Sequence, residues 1–135
     1  MEGAIVACSL IYTVASNVAI AENQSGPFGA IIRRYGCNCQ LNGAGISLIG
    51  AGYYDLEASL TFTPTATGPV TIQFYQDGIT IPGATATAQG TASEPMNLSV
   101  IAAIRNCGCN CNTTLTYTID AAGTIVSLPV EVKKD

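Results

Sequence analysis

A two-residue hydrophobic period dominates this sequence. Tyr54, Leu56, Ala58, Leu60 and Phe62 alternate with Asp55, Glu57, Ser59, Thr61 and Thr63. Successive side chains point to opposite faces in an extended chain, so such a run has one dry face and one wet face. The same beat recurs in Val70, Ile72 and Phe74 against Thr71 and Gln73, and in Leu115, Tyr117 and Ile119 against Thr116 and Thr118. Runs rich in Thr, Val, Ile and Tyr, bounded by Gly, Pro and Asn, predict strands over 4–8, 10–20, 28–35, 45–50, 53–63, 69–76, 79–88, 96–104, 113–120 and 123–133. Asp77-Gly78 predicts a tight hairpin, because both central residues of that turn favour positive φ. Pro82-Gly83 predicts a further turn or a bulge. No window longer than a turn or two carries helical periodicity. Many short strands at this spacing predict an all-β fold, a single jelly-roll β-sandwich.

Composition narrows the function. At 135 residues the chain has the length of one domain, and it can bury close to two-thirds of its unfolded surface. Hydrophobic residues make up 48% and charged residues 10%, against about 25% in an ordinary soluble domain. That balance excludes a disordered chain. Arg33, Arg34, Arg105, Lys133 and Lys134 are its only cations, too few for a basic stripe along a nucleic acid. With no histidine, Ser-His-Asp and Cys-His catalysis and histidine-based metal sites are excluded. Gly-rich phosphate loops and nucleophile elbows are absent, so no enzyme and no cofactor is expected. The apolar runs fall short of the roughly 20 residues of a membrane-spanning helix. A surface with so few charges points instead to coverage by copies of the same chain.

From residue 26 onward, GPFGAIIRRYG, GISLIGAGYYDLEASLTF, VTIQFYQDGITIPGA, NLSVIAAIRN and TIVSLPVEVKKD follow one another as in a known family. The chain resembles the jelly-roll head domain of the collagen-like spore-surface (exosporium) glycoproteins, within the wider tumour-necrosis-factor and complement-like class. The resemblance rests on the aromatic-rich strand GYYDLEASL after a Gly turn and on the polar hairpin with its Ile-Pro-Gly continuation. The apolar–Glu–apolar–Lys ending at Val130, Glu131, Val132 and Lys133 completes it. It implies a homotrimer of jelly rolls without enzymatic activity. Two features depart from the family: there is no Gly-X-Y stalk, and the clustered cysteines are foreign to the usual head.

Those cysteines form two groups, Cys37-Asn38-Cys39 and Cys107-Gly108-Cys109-Asn110-Cys111, with Cys8 alone near the N-terminus. Alternate residues of a strand share a face, so each cluster is expected to present its sulfurs on one side. Each also follows a strand ending in arginine, so if those strands end at one pole the clusters can face each other within a subunit or across neighbours. Three readings stand. Six cysteines in a low-charge β domain suit disulfides within or between subunits. A zinc or iron–sulfur site is a minor reading, because the spacing is C-x-C rather than C-x₂-C. Reduced thiols are the third. A bond within one C-x-C pair is disfavoured, since alternate side chains on a strand stand about 6–7 Å apart. Pairing between clusters, with Cys8 joining subunits, is the better expectation.

Arg33, Arg34 and Arg105 are candidates for contacts between subunits. Arg33 and Arg34 could instead lower the pKa of the nearby thiols. Asp55 and Glu57 share a strand face, where a solvated surface is the plainer reading than acid–base work or calcium binding. Asp77 reads as a turn former. Asn23, Asn97 and Asn112 begin acceptor-like triplets that arise readily by chance in a Thr- and Asn-rich chain.

The first 25 residues have an apolar centre and an Ala-Ile-Ala before Glu22, yet lack the basic start of a signal peptide, so they are expected to belong to the mature protein. Residues 1–25 are read as an N-terminal strand or connector and 26–135 as the jelly roll. The strand could close its own subunit's sheet or add to a neighbour's. Together these features predict a self-assembling structural protein, a trimer in an extracellular fibre or spore-surface appendage. A virion decoration or head-fibre trimer is the first alternative, and a carbohydrate- or receptor-binding head the second.

Overall fold

The computed structural model describes residues 9–43, 45–106 and 112–134. They form ten strands: β1 (Ser9–Ile20), β2 (Ala30–Tyr35), β3 (Cys39–Asn42), β4 (Gly45–Ile49), β5 (Gly52–Pro64), β6 (Gly68–Gln76), β7 (Ile79–Gly90), β8 (Met96–Asn106), β9 (Asn112–Ile119) and β10 (Gly123–Lys134). Two five-stranded sheets face each other, a first of order β2-β1-β10-β5-β8 and a second of order β3-β4-β9-β6-β7. Every ladder is antiparallel. The fold is an all-β jelly-roll sandwich.

The period-two pattern becomes burial. Along β5, Tyr54, Leu56, Ala58, Leu60 and Phe62 point inward, as do Leu98, Val100, Ala102 and Ile104 along β8. The second sheet answers with Ile46, Leu48, Val70, Ile72, Phe74, Leu115, Tyr117 and Ile119. Each fully buried large side chain of this kind contributes about 1.5–3 kcal/mol relative to exposure. Phe28 enters from the β1–β2 connection and meets Tyr117 edge-on at 5.1 Å and Phe74 at 6.5 Å. Gly26 has to be glycine here, because a Cβ would lie 2.4 Å from the Tyr117 ring.

The Asp77-Gly78 hairpin forms as expected, with φ of 52° and 81°. Pro82-Gly83 makes a bulge rather than a turn. The register between β6 and β7 slips after Gln73, and the Gln73 Nε2 donates to the carbonyls of Phe74, Ile81 and Ala84 to hold the slipped segment. Segment 10–20 is a strand that pairs with β10 on one side and β2 on the other, inside its own chain's sheet. The segment expected as a strand over 4–8 lies outside the described residues. One strand escaped the sequence reading: β3 has only four residues and no clean alternation.

Candidate self-association face and cysteine pole

Antiparallel pairing sets the directions of the strands. In the first sheet β2 and β8 run the same way, so both end at the pole where β1 begins. The condition for the two cysteine clusters to approach each other is therefore met by the strands that lead into them. A hydrogen-bond network ties this pole together. Ser9 Oγ donates to Tyr35 O at 3.1 Å and accepts from Asn38 N at 3.0 Å. Asn38 Nδ2 donates to Ile49 O at 2.6 Å, and Asn106 Nδ2 donates to Leu48 O and Gly50 O at 3.1 and 2.9 Å. Tyr54 OH donates to the Ile49 and Gly50 carbonyls at 3.0 and 2.8 Å. Ser9 follows Cys8, Asn38 lies between Cys37 and Cys39, and Asn106 precedes Cys107. One network thus holds a neighbour of every cysteine-bearing segment. Cys8, Cys107, Cys109 and Cys111 themselves lie outside the described residues.

The expectation that Cys37 and Cys39 share a face fails. Cys37 sits exposed in a bend after β2, where strand parity does not apply, while Cys39 opens β3 and is fully buried. Both are free thiols. Cys39 Sγ lies 4.0 Å from Val132 O. Burial pushes this thiol up to about 11, against the smaller opposing pulls of Ser9, Arg34 and Lys134. Such a thiol is a packing group rather than a nucleophile. Burial, helped by the nearby Cys39, also raises Tyr54 above its ordinary value. Among the described residues no three His, Cys, Asp or Glu side chains converge to hold a metal ion, and no helix is long and apolar enough to cross a membrane.

The three arginines take different places. Arg33 is exposed on β2 with its guanidinium 5.8 Å from the centre of the Tyr35 ring. Arg34 donates from Nη1 to Cys39 O at 3.4 Å, which ties β2 to the start of β3. Arg105 is exposed near the end of β8, opposite Tyr53.

The outward face of the first sheet is the most distinctive surface. One row of residues crosses all five strands in register: Arg33, Tyr12, Glu131, Glu57 and Ile101. The next row toward the cysteine pole reads Tyr35, Leu10, Lys133, Asp55 and Ala103. Three adjoining hollows open along these rows. One of about 330 Å³ is lined by Tyr12, Glu57, Ser99, Ile101, Pro129 and Glu131. Another of about 410 Å³ is lined by Leu10, Tyr12, Ile32, Arg33 and Glu131. The third, of similar size, lies between Asp55, Glu57, Ile101, Ala103 and Lys133. Ile101 projects from the edge strand with 75% of its surface exposed, and Ile32 and Tyr53 are each 60% exposed. Sequence reasoning singled out Arg33, Arg34 and Arg105 as contact candidates on this sheet but passed over Tyr12, Ile32 and Ile101. A signal was present, since Ile101 is an apolar residue on the wet beat of NLSVIAAIRN.

The fold is a jelly-roll sandwich similar to tumour-necrosis-factor-like and complement heads among solved structures. Murine APRIL at pH 5.0 superposes with a TM-score of 0.73 at 12% identity, covering 93% of this chain and 98% of that one. The globular domain of the zebrafish complement 1qA protein gives 0.64 at 8% identity over 93% and 94%. The PRD1 vertex protein P5 gives 0.61 at 14% identity over 96% and 99%. At such identities the likeness is one of fold alone. Neither protein-family models nor curated proteins match the sequence.

Proposed function

We propose that this chain is a non-enzymatic structural subunit that assembles with copies of itself, as a homotrimer, into an extracellular bacterial fibre or spore-surface appendage. The observation that carries the reading is the outward face of the first sheet, where adjoining hollows run between exposed apolar side chains at its two edges. The resemblance to spore-surface head domains favours a trimer and that location. The convergence of β1, β2 and β8 on one pole supports disulfide cross-linking there, within or between subunits.

The second reading is a virion structural protein, a capsid decoration or head-fibre trimer, and the likeness to the PRD1 vertex protein P5 favours it. Light scattering and negative-stain microscopy of the purified chain, with and without reductant, test both. Residues 1–8 are the segment to delete, because cutting to residue 22 would remove β1 from the middle of a sheet. Filaments that disappear on this deletion and loosen on reduction support the fibre. Discrete trimers under every condition overturn the fibre and favour the virion reading, and monomers at all concentrations overturn both.

A further inference from the structure

Of the chain's asparagines, Asn42 alone is followed by glycine. An asparagine side chain can react with the backbone nitrogen of the next residue, and any side chain on that residue stands in the way. Gly43 has none. The pair sits at the tip of the β3–β4 hairpin, where Asn42 pairs with Gly45 and both Asn42 and Gly43 are exposed. Gly43 takes the left-handed φ of 60°, and a Cβ built on it meets nothing within 4 Å. Water therefore has open access to the peptide between them. Among the described residues the Asn42 amide is held by one bond, Nδ2 donating to Ser47 Oγ at 2.7 Å, at a surface where water can replace it. Asn38 and Asn106 differ: their amides donate to Ile49 O, and to Leu48 O and Gly50 O, inside the pole network, and cysteine follows each. Asn17, Asn23 and Asn97 are exposed but precede Val18, Gln24 and Leu98.

We propose that Asn42-Gly43 is a site of spontaneous modification, where the asparagine amide is exchanged for a carboxylate that charges the bare edge of the second sheet. The Gly43 nitrogen gives its proton to water or hydroxide and attacks Asn42 Cγ. The new N–Cγ bond closes a succinimide ring while the Cγ–Nδ2 bond breaks, and Nδ2 departs as ammonia with a proton taken from water. Water then opens the ring. Addition at Cγ breaks the N–Cγ bond and leaves aspartate at position 42. Addition at the Asn42 main-chain carbonyl leaves the chain running through Cγ as an isoaspartyl link. One water is consumed, one ammonia is released, and nothing is oxidised or reduced. Ring closure needs the chain to turn freely between the two residues, and a glycine at a hairpin tip allows this. The place of the new charge matters. β3 is an edge strand of the second sheet and its four residues carry no charge. The edges of the first sheet carry Arg33 and Arg34 on β2 and Arg105 on β8. A charge on an edge strand discourages a further strand from pairing there, so the carboxylate gives β3 the guard it lacks. The inference goes beyond self-assembly and does not depend on it.

The test is peptide mapping by mass spectrometry of the full-length folded protein, held in heavy-oxygen water at neutral and at alkaline pH. The expected result is uptake of solvent oxygen at residue 42, in aspartyl and isoaspartyl forms. Uptake is faster at alkaline pH, because the Gly43 nitrogen must lose its proton. Asn17, Asn23 and Asn97 keep their amides over the same period. Gly43→Ala, checked for folding by thermal melts, is expected to slow the exchange by roughly tenfold, a barrier about 1.4 kcal/mol higher. Asn42→Ser abolishes it. Guarding of the edge is read from the turbidity of concentrated Asn42→Asp against Asn42→Ser, with the carboxylate variant the clearer. An amide still intact at residue 42 after alkaline incubation, or exchange as fast at Asn23 as at Asn42, overturns the site. Equal turbidity overturns the guarding role. Each of these failures leaves the self-assembly reading standing, because that reading rests on the other sheet.

Discussion

The two sheets share one core and turn very different faces to the outside. The strands of the first sheet carry eight charged residues: Arg33, Arg34, Asp55, Glu57, Arg105, Glu131, Lys133 and Lys134. The strands of the second sheet carry none. Apart from Ile79, 71% exposed at the hairpin end of β7, their exposed positions are mostly Thr, Ser, Gln, Asn and Tyr, several of which bond one another. Thr71 and Thr87 hydroxyls lie 2.8 Å apart, Tyr75 OH and Thr118 Oγ1 3.1 Å, and Asn42 Nδ2 donates to Ser47 Oγ at 2.7 Å. A face that satisfies its own polar groups has little selective to offer a partner. A face with ordered charges beside exposed apolar residues can discriminate between partners by matching or repelling them. The asymmetry suits the first sheet, more than the second, to the contact proposed above.

That contrast can be broken most forcefully from inside. Phe74 belongs to the second sheet and packs on Tyr117 at 5.5 Å and on Phe28. Phe74→Ala is expected to cost about 3–5 kcal/mol. Because both sheets bury against the same core, urea unfolding followed by circular dichroism and by tyrosine fluorescence should still show one coincident transition. Two separated transitions would mean that the sheets are independent, and the comparison would then be between two modules.

A smaller effect comes from Cys39, where the second sheet's edge meets the first sheet's Val132. In the unfolded chain its thiol ionises near 9.0, and in the folded chain it keeps its proton to about 11. The folded state therefore binds the proton more tightly. The associated stability is fully present below pH 9 and is lost as pH rises toward 11, by about 2 kcal/mol in all. Denaturant melts of the wild type and of Cys39→Ala across pH 8–11 should converge as the pH rises. Parallel curves would show that Cys39 is not held protonated by burial.

The smallest effect sharpens the contrast from outside. Thr87→Ala removes one exposed hydroxyl pair from the second sheet and should change stability by no more than about 0.5 kcal/mol. It should leave the mass in solution unchanged, whereas Ile101→Glu on the first sheet should not. A loss of assembly in Thr87→Ala would move the contact to the wrong wall.

Most strands were legible because alternation and burial are the same physical fact seen from two sides. Leu56 and Val100 had to point inward once Glu57 and Ser99 were placed in water. The hairpin at Asp77-Gly78 was equally plain, because few residue pairs accept positive φ twice in a row. β3 was not legible. Its four residues owe their extended shape to pairing with β4 rather than to any pattern of their own. The same gap explains the error at Cys37 and Cys39. Parity of side chains holds inside a strand, and the chain bends between β2 and β3, so one thiol reaches solvent and the other the core.

Local pattern therefore decided which residues are extended and which face of each strand is dry, since both depend only on near neighbours in the chain. Tertiary structure decided the rest. That β2 and β8 end at one pole, that Ser9, Asn38 and Asn106 join in one network, and that Arg33, Tyr12, Glu131, Glu57 and Ile101 form a single row are consequences of strand order and register. Strand order and register are set by long-range pairing, between segments more than a hundred residues apart in the case of β1 and β10, and no local alternation of side chains encodes which strand becomes the neighbour of which.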